Sequence, residues 1–333
     1  MVRTTGMLVA AMAALAALPA SAAGLTTVQI ASASASVSYI SPYIALAKGY
    51  YKDAGLDVSI ANFQSGSKAV EAMMGGSVDA IAGAYSNGIL MAAKGQKVET
   101  FVNFLRCPGY VLAVGKGHDA VKGVADLKGM TIGVTAPGSS THQALSYLFV
   151  KAGLKGDDFI PVGIGNTAGA VAAVQYGKVD AMLGVDPTVT ILERAGNART
   201  IVDLRSVDSS RAAVGGAYPE GSLLARTDYV TKHPAVIQGL TDAVVRANQW
   251  IAKSTPAEIV AALPPEIVGT DTALFADNIA KMKTCYSPDG VLPVDGPKTV
   301  LEILKTSDPT LGSNPIDLAA TFTNAFTDKS PKG

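Results

Sequence analysis

Gly76-Ser77-Val78-Asp79-Ala80-Ile81-Ala82-Gly83 returns as Gly177-Lys178-Val179-Asp180-Ala181-Met182-Leu183-Gly184, a displacement of 101 residues. Nearly the same offset separates Ala54-Gly55-Leu56 from Ala152-Gly153-Leu154. Self-similarity at a fixed spacing marks a repeated structural unit, so two similar units are written in tandem. In each copy the short apolar run, Val78 to Ala82 and Val179 to Leu183, reads as a strand buried on both faces.

The rest of each unit follows from local signals. In the first, Val28 and Ile30 alternate as a strand, and Ser41-Pro42 gives an N-cap followed by proline at the first helical position. A helix is predicted from there through Ala54, with Gly55 as its stop. Val58 and Ile60 form the next strand. Ser65-Gly66-Ser67 then opens a helix whose apolar positions Ala69, Val70, Met73 and Met74 share one face. In the second unit Ile132 and Val134 mark a strand, and Thr135-Ala136-Pro137-Gly138 is the turn beyond it. Ser140 and Gln143 have capping-box spacing, while Leu145, Leu148, Phe149 and Ala152 supply a helical stripe. Gly163 to Thr167 is predicted to open another helix. Strands alternating with helices imply parallel sheets covered on both faces, and ligands of such sheets bind beyond the carboxyl ends of the strands. Leu105 to Val114 is expected to carry the chain to a second lobe and Tyr218 to Arg226 to bring it back. The lobes would then comprise residues 23–107 with 221–333, and 108–220.

At the N-terminus, Arg3 precedes an apolar run from Met7 to Leu18 that ends at Pro19 and Ala20-Ser21-Ala22. This is the pattern of a secretory signal peptide over residues 1–22, and the run falls short of the roughly twenty residues a membrane span needs. No cysteine lies near the cleavage site to carry a lipid. The 311 residues left after cleavage suffice for two ordinary domains. With 27 basic and 27 acidic residues and no run of like charge, the chain has no grip for nucleic acid or an anionic membrane. Cys107 and Cys285 are the two cysteines; in an oxidising compartment they either pair or stay as two buried thiols. His118, His142 and His233 lie far apart, without metal-ligand spacing, so no metal site is expected.

Several stretches carry a family resemblance: Ile44-Ala45-Leu46-Ala47-Lys48-Gly49-Tyr50-Tyr51-Lys52-Asp53-Ala54-Gly55-Leu56-Asp57-Val58, then Asp126-Leu127-Lys128-Gly129-Met130-Thr131-Ile132-Gly133-Val134, then Pro137-Gly138-Ser139-Ser140-Thr141-His142, and Gly177 through Pro187. On these the mature chain resembles, nearly end to end, the aliphatic sulfonate, taurine and nitrate class of periplasmic solute-binding proteins of ABC transporters. That class shares its fold with thiamine-pyrimidine-precursor proteins. The resemblance implies an α/β chain with the type II periplasmic-binding fold: two Rossmann-like lobes, joined by a hinge of two crossing segments, that close on a small solute in Venus-flytrap fashion. It also implies a monomer that meets an ABC transporter permease at the inner membrane and needs no cofactor. Val185 stands where the sulfonate branch often has an aromatic residue, a departure that weakens sulfonate as the ligand.

The expected site follows from helix chemistry. A helix N-terminus offers unpaired N–H groups and partial positive charge to an anion, and Ser65, Gly66, Ser86, Ser139, Ser140 and Thr141 lie at such starts. Each hydroxyl either touches a ligand or only caps its helix. Tyr39 and Tyr85 follow strand ends and could wall the cleft. Asn87 and Asn166 either bind ligand or stabilise turns, His142 either contacts ligand or sits just inside its helix, and Asp186 either holds a ligand ammonium or caps the next segment. The ligand expected is a small organic anion, a sulfonate or carboxylate. Two rival functions remain: a sensor module for a membrane receptor, and an enzyme of a resembling family, such as a desulfinase or pyrimidine synthase. The cysteine and histidine patterns of those enzymes are not found in this chain, and the S-x-x-K spacing of Ser65 to Lys68 lacks the companion motifs of acyl-serine enzymes.

Overall fold

The computed structural model describes residues 1, 24–63, 65–308, 311 and 315–332. Apart from Met1, the leader expected over residues 1–22 lies outside the described residues. The strands run in chain order as β1 (Thr26–Ser32), β2 (Leu56–Asn62), β3 (Ala80–Ala84), β4 (Val98–Asn103), β5 (Tyr110–Gly115), β6 (Thr131–Val134), β7 (Ile160–Gly163), β8 (Ala181–Val185), β9 (Ala198–Asp203) and β10 (Gly221–Arg226). Among the first strands lie helices α1 (Ile40–Ala47), α2 (Tyr50–Asp53), α3 (Gly66–Met74) and α4 (Ser86–Ala93). The second group has α5 (Ser140–Lys151), α6 (Ala168–Gln175), α7 (Thr188–Arg194) and α8 (Val207–Val214). A helical tail follows: α9 (Thr227–Lys232), α10 (Pro234–Lys253), α11 (Pro256–Ala262), α12 (Pro265–Val268), α13 (Thr272–Met282) and α14 (Gly296–Ser307). Among the described residues no helix is long and apolar enough to cross a membrane.

Two five-stranded sheets form, ordered β2-β1-β3-β10-β4 and β7-β6-β8-β5-β9. The repeat explains their likeness. Ile30 of β1 pairs with Ala80 of β3, and Ile132 of β6 pairs with Ala181 of β8, so the duplicated motif supplies the central strand of both sheets. Its aspartate has the same task twice. The Asp79 carboxylate accepts from Gln29 N–H and that of Asp180 from Thr131 N–H, each at 2.8 Å, tying the beginning of the central strand to its parallel neighbour.

Neither sheet is purely parallel, against the sequence expectation. β10 runs antiparallel to β3 and β4, and β5 runs antiparallel to β8 and β9. Both are the strands by which the chain enters a lobe from the other one, so they arrive from the cleft side, opposite in sense to strands that end there. Local signals also shifted. The first helix starts at Ile40 after a 3-10 turn (Val37–Tyr39), so Ser41 lies inside it rather than capping it, and the run to Ala54 is broken at Gly49, whose φ is 73°. Ser139, not Ser140, is the N-cap of α5, and Gln143 Nε2 donates to Gly138 O instead of closing a capping box. Gly163 ends a strand, and the next helix begins only at Ala168.

The two crossings are bonded to each other. Phe104 N–H and Leu105 N–H donate to Gly221 O at 2.8 and 3.0 Å, and Glu220 N–H donates to Leu105 O at 2.9 Å. A Cβ on Gly221 would sit 2.4 Å from the Phe104 ring and 2.8 Å from Leu105 Cβ, so a residue without one is needed for the segments to meet. Cys107 and Cys285 form a disulfide, with Cα atoms 5.3 Å apart, that ties the first crossing to the turn after α13. Helix α14, within the stretch expected to complete the first lobe, packs chiefly on α5 of the second and also on α4 of the first. Val300, Ile303 and Leu304 thereby join a core shared between the lobes with Tyr85, Val214 and Tyr218.

Candidate functional site

The carboxyl ends of the central strands face a narrow cavity of about 20 Å³ between the sheets. From the first lobe come Ala33 and Ser34 after β1, Tyr39 of the 3-10 turn, Gly66 at the start of α3, and Ala84 at the end of β3. The second lobe gives Tyr110 of β5, Thr135 after β6, Ser140 and Thr141 at the start of α5, and Val185 closing β8. Glu220, in the returning crossing, completes the lining. Helix starts of α3 and α5 thus meet across one cavity from opposite lobes.

Glu220 is 1% exposed and surrounded by hydroxyls. The Tyr110 hydroxyl lies 2.6 Å from Oε1 and 2.7 Å from Ser140 Oγ. With one hydrogen it serves the carboxylate, the stronger acceptor, and Ser140 can turn its own hydrogen toward Oε1 at 3.5 Å. Tyr39 O–H is shared between Oε1 at 3.0 Å and Oε2 at 3.1 Å. Burial pushes the carboxyl up to about 7, with the hydrogen bonds from Tyr110, Tyr39 and Ser140 pulling the other way. The phenols of Tyr39 and Tyr110 are raised in turn, first by burial and then by the Glu220 charge. Among the described residues no lysine, arginine or histidine pairs with Glu220.

The residues expected from the sequence divide. Tyr39, Gly66, Ser140 and Thr141 line the cavity. Ser139 and Thr141 organise its wall, since Thr135 O–H donates to Ser139 Oγ at 2.8 Å and Thr135 N–H to Thr141 Oγ1 at 3.0 Å. Ser65 caps α3 by accepting from Lys68 N–H at 3.4 Å. Ser86 and Asn87 are buried at the start of α4, Asn87 against Gly66, and the Ser86 hydroxyl and Asn87 Nδ2 have no hydrogen-bond partner among the described residues. A Cβ at Gly66 would press within 3.1 Å of that amide. Asn166 reaches across the lobes instead, its Nδ2 donating to Ser34 Oγ at 2.5 Å.

Three residues stand elsewhere. Tyr85 points into the core shared by the lobes, its hydroxyl 2.6 Å from Thr321 Oγ1, because the chain turns into α4 immediately after β3. His142 Nδ1 accepts from Gly138 N–H at 3.0 Å and the ring packs edge-on to Phe159, so it braces the turn before α5 rather than facing the cavity. Burial lowers its pKa. Asp186 is fully buried and its oxygens are taken: Thr190 N–H and O–H donate to Oδ1 at 3.0 and 2.8 Å, and Arg205 Nη1 to Oδ2 at 2.9 Å. Fully buried, paired with Arg205 and not among the residues that line the cavity, it does not face a ligand ammonium. Burial disfavours the Arg205 charge, yet hydrogen bonds and attraction from Asp203 and Asp186 more than offset this and raise its pKa.

Sequence reasoning missed Ser34, Tyr110, Thr135 and above all Glu220. One signal was there: Glu220 is the lone charge between Tyr218 and Ala225, inside the segment read as the returning crossing. Among the described residues, no group of three or more histidine, cysteine, aspartate or glutamate side chains gathers to hold a metal.

Known proteins share this architecture. A solved structure from Bordetella bronchiseptica RB50 superposes with a TM-score of 0.87 at 40% identity, covering 91% of this chain and 96% of that one. The alkanesulfonate-binding protein SsuA from Xanthomonas axonopodis pv. citri, bound to MOPS, gives a TM-score of 0.70 at 21% identity over 91% of this chain and 99% of its own. YtlA of Bacillus subtilis (strain 168) is 25% identical over 276 residues, 80% of this chain and 79% of that protein. Both sheets and both crossings have the arrangement of the type II periplasmic-binding fold. The family model described as NMT1/THI5 like matches residues 37–259, from the 3-10 turn that carries Tyr39 to the middle of α11, and to that family this chain belongs.

Proposed function

We propose that this chain is the periplasmic substrate-binding component of an ABC importer, acting as a monomer that closes its lobes on a small organic anion and presents it to the inner-membrane permease. In this reading residues 23–107 with 221–333 form one lobe and 108–220 the other. The observation that carries it is the meeting of the α3 and α5 starts at one cavity between two lobes. Unpaired N–H groups at helix starts favour an anion, and Ser140 and Thr141 add hydroxyls. Tyr39 and Gly66 form the opposite wall, while Ser65 and Ser139 hold the helix starts in place. Likeness in fold to an alkanesulfonate-binding protein supports the binding role, and an apolar leader before Ala22 supports export. Likeness to the putative binding protein YtlA and to an alkanesulfonate-binding protein supports binding rather than catalysis.

A thermal-shift screen of carboxylates and sulfonates tests this. A true ligand at about a hundred times its dissociation constant adds roughly 2.7 kcal/mol of stability. If only cations or neutral sugars raise the melting temperature, the anion class is wrong.

A further inference from the structure

We propose that Glu220 selects the ligand by receiving a protonated nitrogen on its Oε2, so that the captured solute is a small zwitterion and not a plain anion. This rests on the reading of the interlobe cavity as a binding site for an organic anion and adds the other half of the molecule.

The two carboxylates nearest the cleft make the argument. Asp186 is as buried as Glu220, and the fold supplies Arg205 to neutralise it at 2.9 Å. Glu220 receives hydroxyls only, and they are unevenly placed. Oε1 has Tyr110 at 2.6 Å, Tyr39 at 3.0 Å and Ser140 at 3.5 Å, whereas Oε2 has only its share of the Tyr39 hydrogen at 3.1 Å. A carboxylate offers about four acceptor positions, so the open ones lie on Oε2. Hydroxyls satisfy lone pairs without cancelling charge, and a buried charge left uncompensated is unfavourable. The rest of the lining is neutral: hydroxyls, Gly66, Ala33, Ala84 and Val185. Within so small a space, a ligand with negative charge alone would face the Glu220 charge at low dielectric and be repelled. A ligand with an ammonium at one end removes both penalties and leaves its anionic end for Ser140, Thr141 and the α5 start. Burial pushes the carboxyl up to about 7, as expected of a carboxyl without a cationic partner, and an ammonium on Oε2 would draw it back down.

The test is calorimetric titration of the exported protein with matched pairs, β-alanine against propionate and 2-aminoethanesulfonate against ethanesulfonate, with ethylamine as the amine alone. The amino member of at least one pair is expected to bind about tenfold tighter or better, as a charge-assisted hydrogen bond implies. Glu220→Gln should erase that preference while leaving the plain anion bound as well or better, and Glu220→Asp, which keeps the charge on a shorter arm, should retain part of it. Plain anions binding as tightly as their amino partners, discrimination that survives in Glu220→Gln, or no binding of either amino member at about 10 mM overturns the proposal. Tight ethylamine binding with no gain from the acidic group would sink the anion reading and leave the role of Glu220 standing, so the two failures are distinguishable.

Discussion

The hydroxyl of Tyr110 lies 2.6 Å from Glu220 Oε1, and that single contact joins the strand by which the chain enters the second lobe to the segment by which it leaves. Tyr39 approaches the same carboxylate from the first lobe at 3.0 Å. Glu220 is therefore a three-way junction of both lobes and the hinge, and its charge state bears on stability as well as on any bound solute.

Ligand-free stability should fall as pH rises from about 4.5 to about 7. The Glu220 carboxyl is raised from 4.5 to about 7 in the folded protein, so across that window the native state holds more protons than the unfolded chain, and stability is present below it and lost through it. The full effect is of order 3 kcal/mol. The titratable groups facing Glu220 are Tyr39, Tyr110 and Tyr218, all raised by burial and silent there. His142, lowered by burial, acts with opposite sign as pH falls below its usual 6.5, and the raised Glu99 acts with the same sign as Glu220. Subtracting urea-melt stabilities of Glu220→Gln from those of the parent isolates the Glu220 contribution. A flat difference between pH 4.5 and 7.5 would refute it.

Replacing both Cys107 and Cys285 by serine should lower stability by about 2–5 kcal/mol. The bond closes a loop of 178 residues, so it restricts the unfolded chain strongly. Both cysteines are fully buried. Dithiothreitol alone should thus leave the melting temperature of the native protein unchanged over minutes, while reduction in denaturant followed by refolding should give the melting temperature of the double variant.

How much of this was legible beforehand is shown by particular residues. Asp79 and Asp180 were visible as parts of a repeat because their bonds are to neighbouring strands of the same unit, and the duplication wrote that relationship twice. Gly66, Ser140 and Thr141 were found because helix starts announce themselves locally. Glu220 was missed because its place depends on Leu105, Gly221 and Tyr110, residues brought together only when two distant crossings pair. The antiparallel sense of β5 and β10 was hidden for the same reason: strand direction relative to a sheet is a property of the connection, not of the strand. Asp186 misled because an Asp-Pro loop after a strand looks the same whether the carboxylate meets a ligand or an arginine 19 residues downstream.

Asp186→Asn should cost about 1.5–3 kcal/mol, the range for losing a charge-assisted hydrogen bond while Arg205 keeps its other partner. Arg205 is 8% exposed at its side chain and would keep only Asp203, itself 44% exposed. Since Asp186 does not line the cavity, the preference among ligands should stay as in the parent even as the denaturation midpoint drops. An altered ligand preference with unchanged stability would instead place Asp186 at the solute.

Closure itself can be weakened without touching the lining. Asn166 Nδ2 bonds Ser34 Oγ across the lobes at 2.5 Å, and Arg194 Nη2 of α7 meets Asp277 of α13 at 2.5 Å. The first pair is buried and the second exposed, so the first should contribute about 1 kcal/mol and the second less. In the proposed function, where the lobes close on the solute, both bonds form only on closure, so losing them lowers the population of the closed form and raises every dissociation constant by one common factor. Asn166→Ala should weaken binding about fivefold for any two chemically different ligands found by the thermal-shift screen, and Arg194→Ala should do so less than twofold. A cavity residue behaves otherwise, because it touches one ligand more than another and changes their ratio. Titrating both ligands against Asn166→Ala therefore separates a closure contact from a recognition contact: a ratio equal to the parent's is the expected result, and a shifted ratio would move Asn166 into the recognition surface.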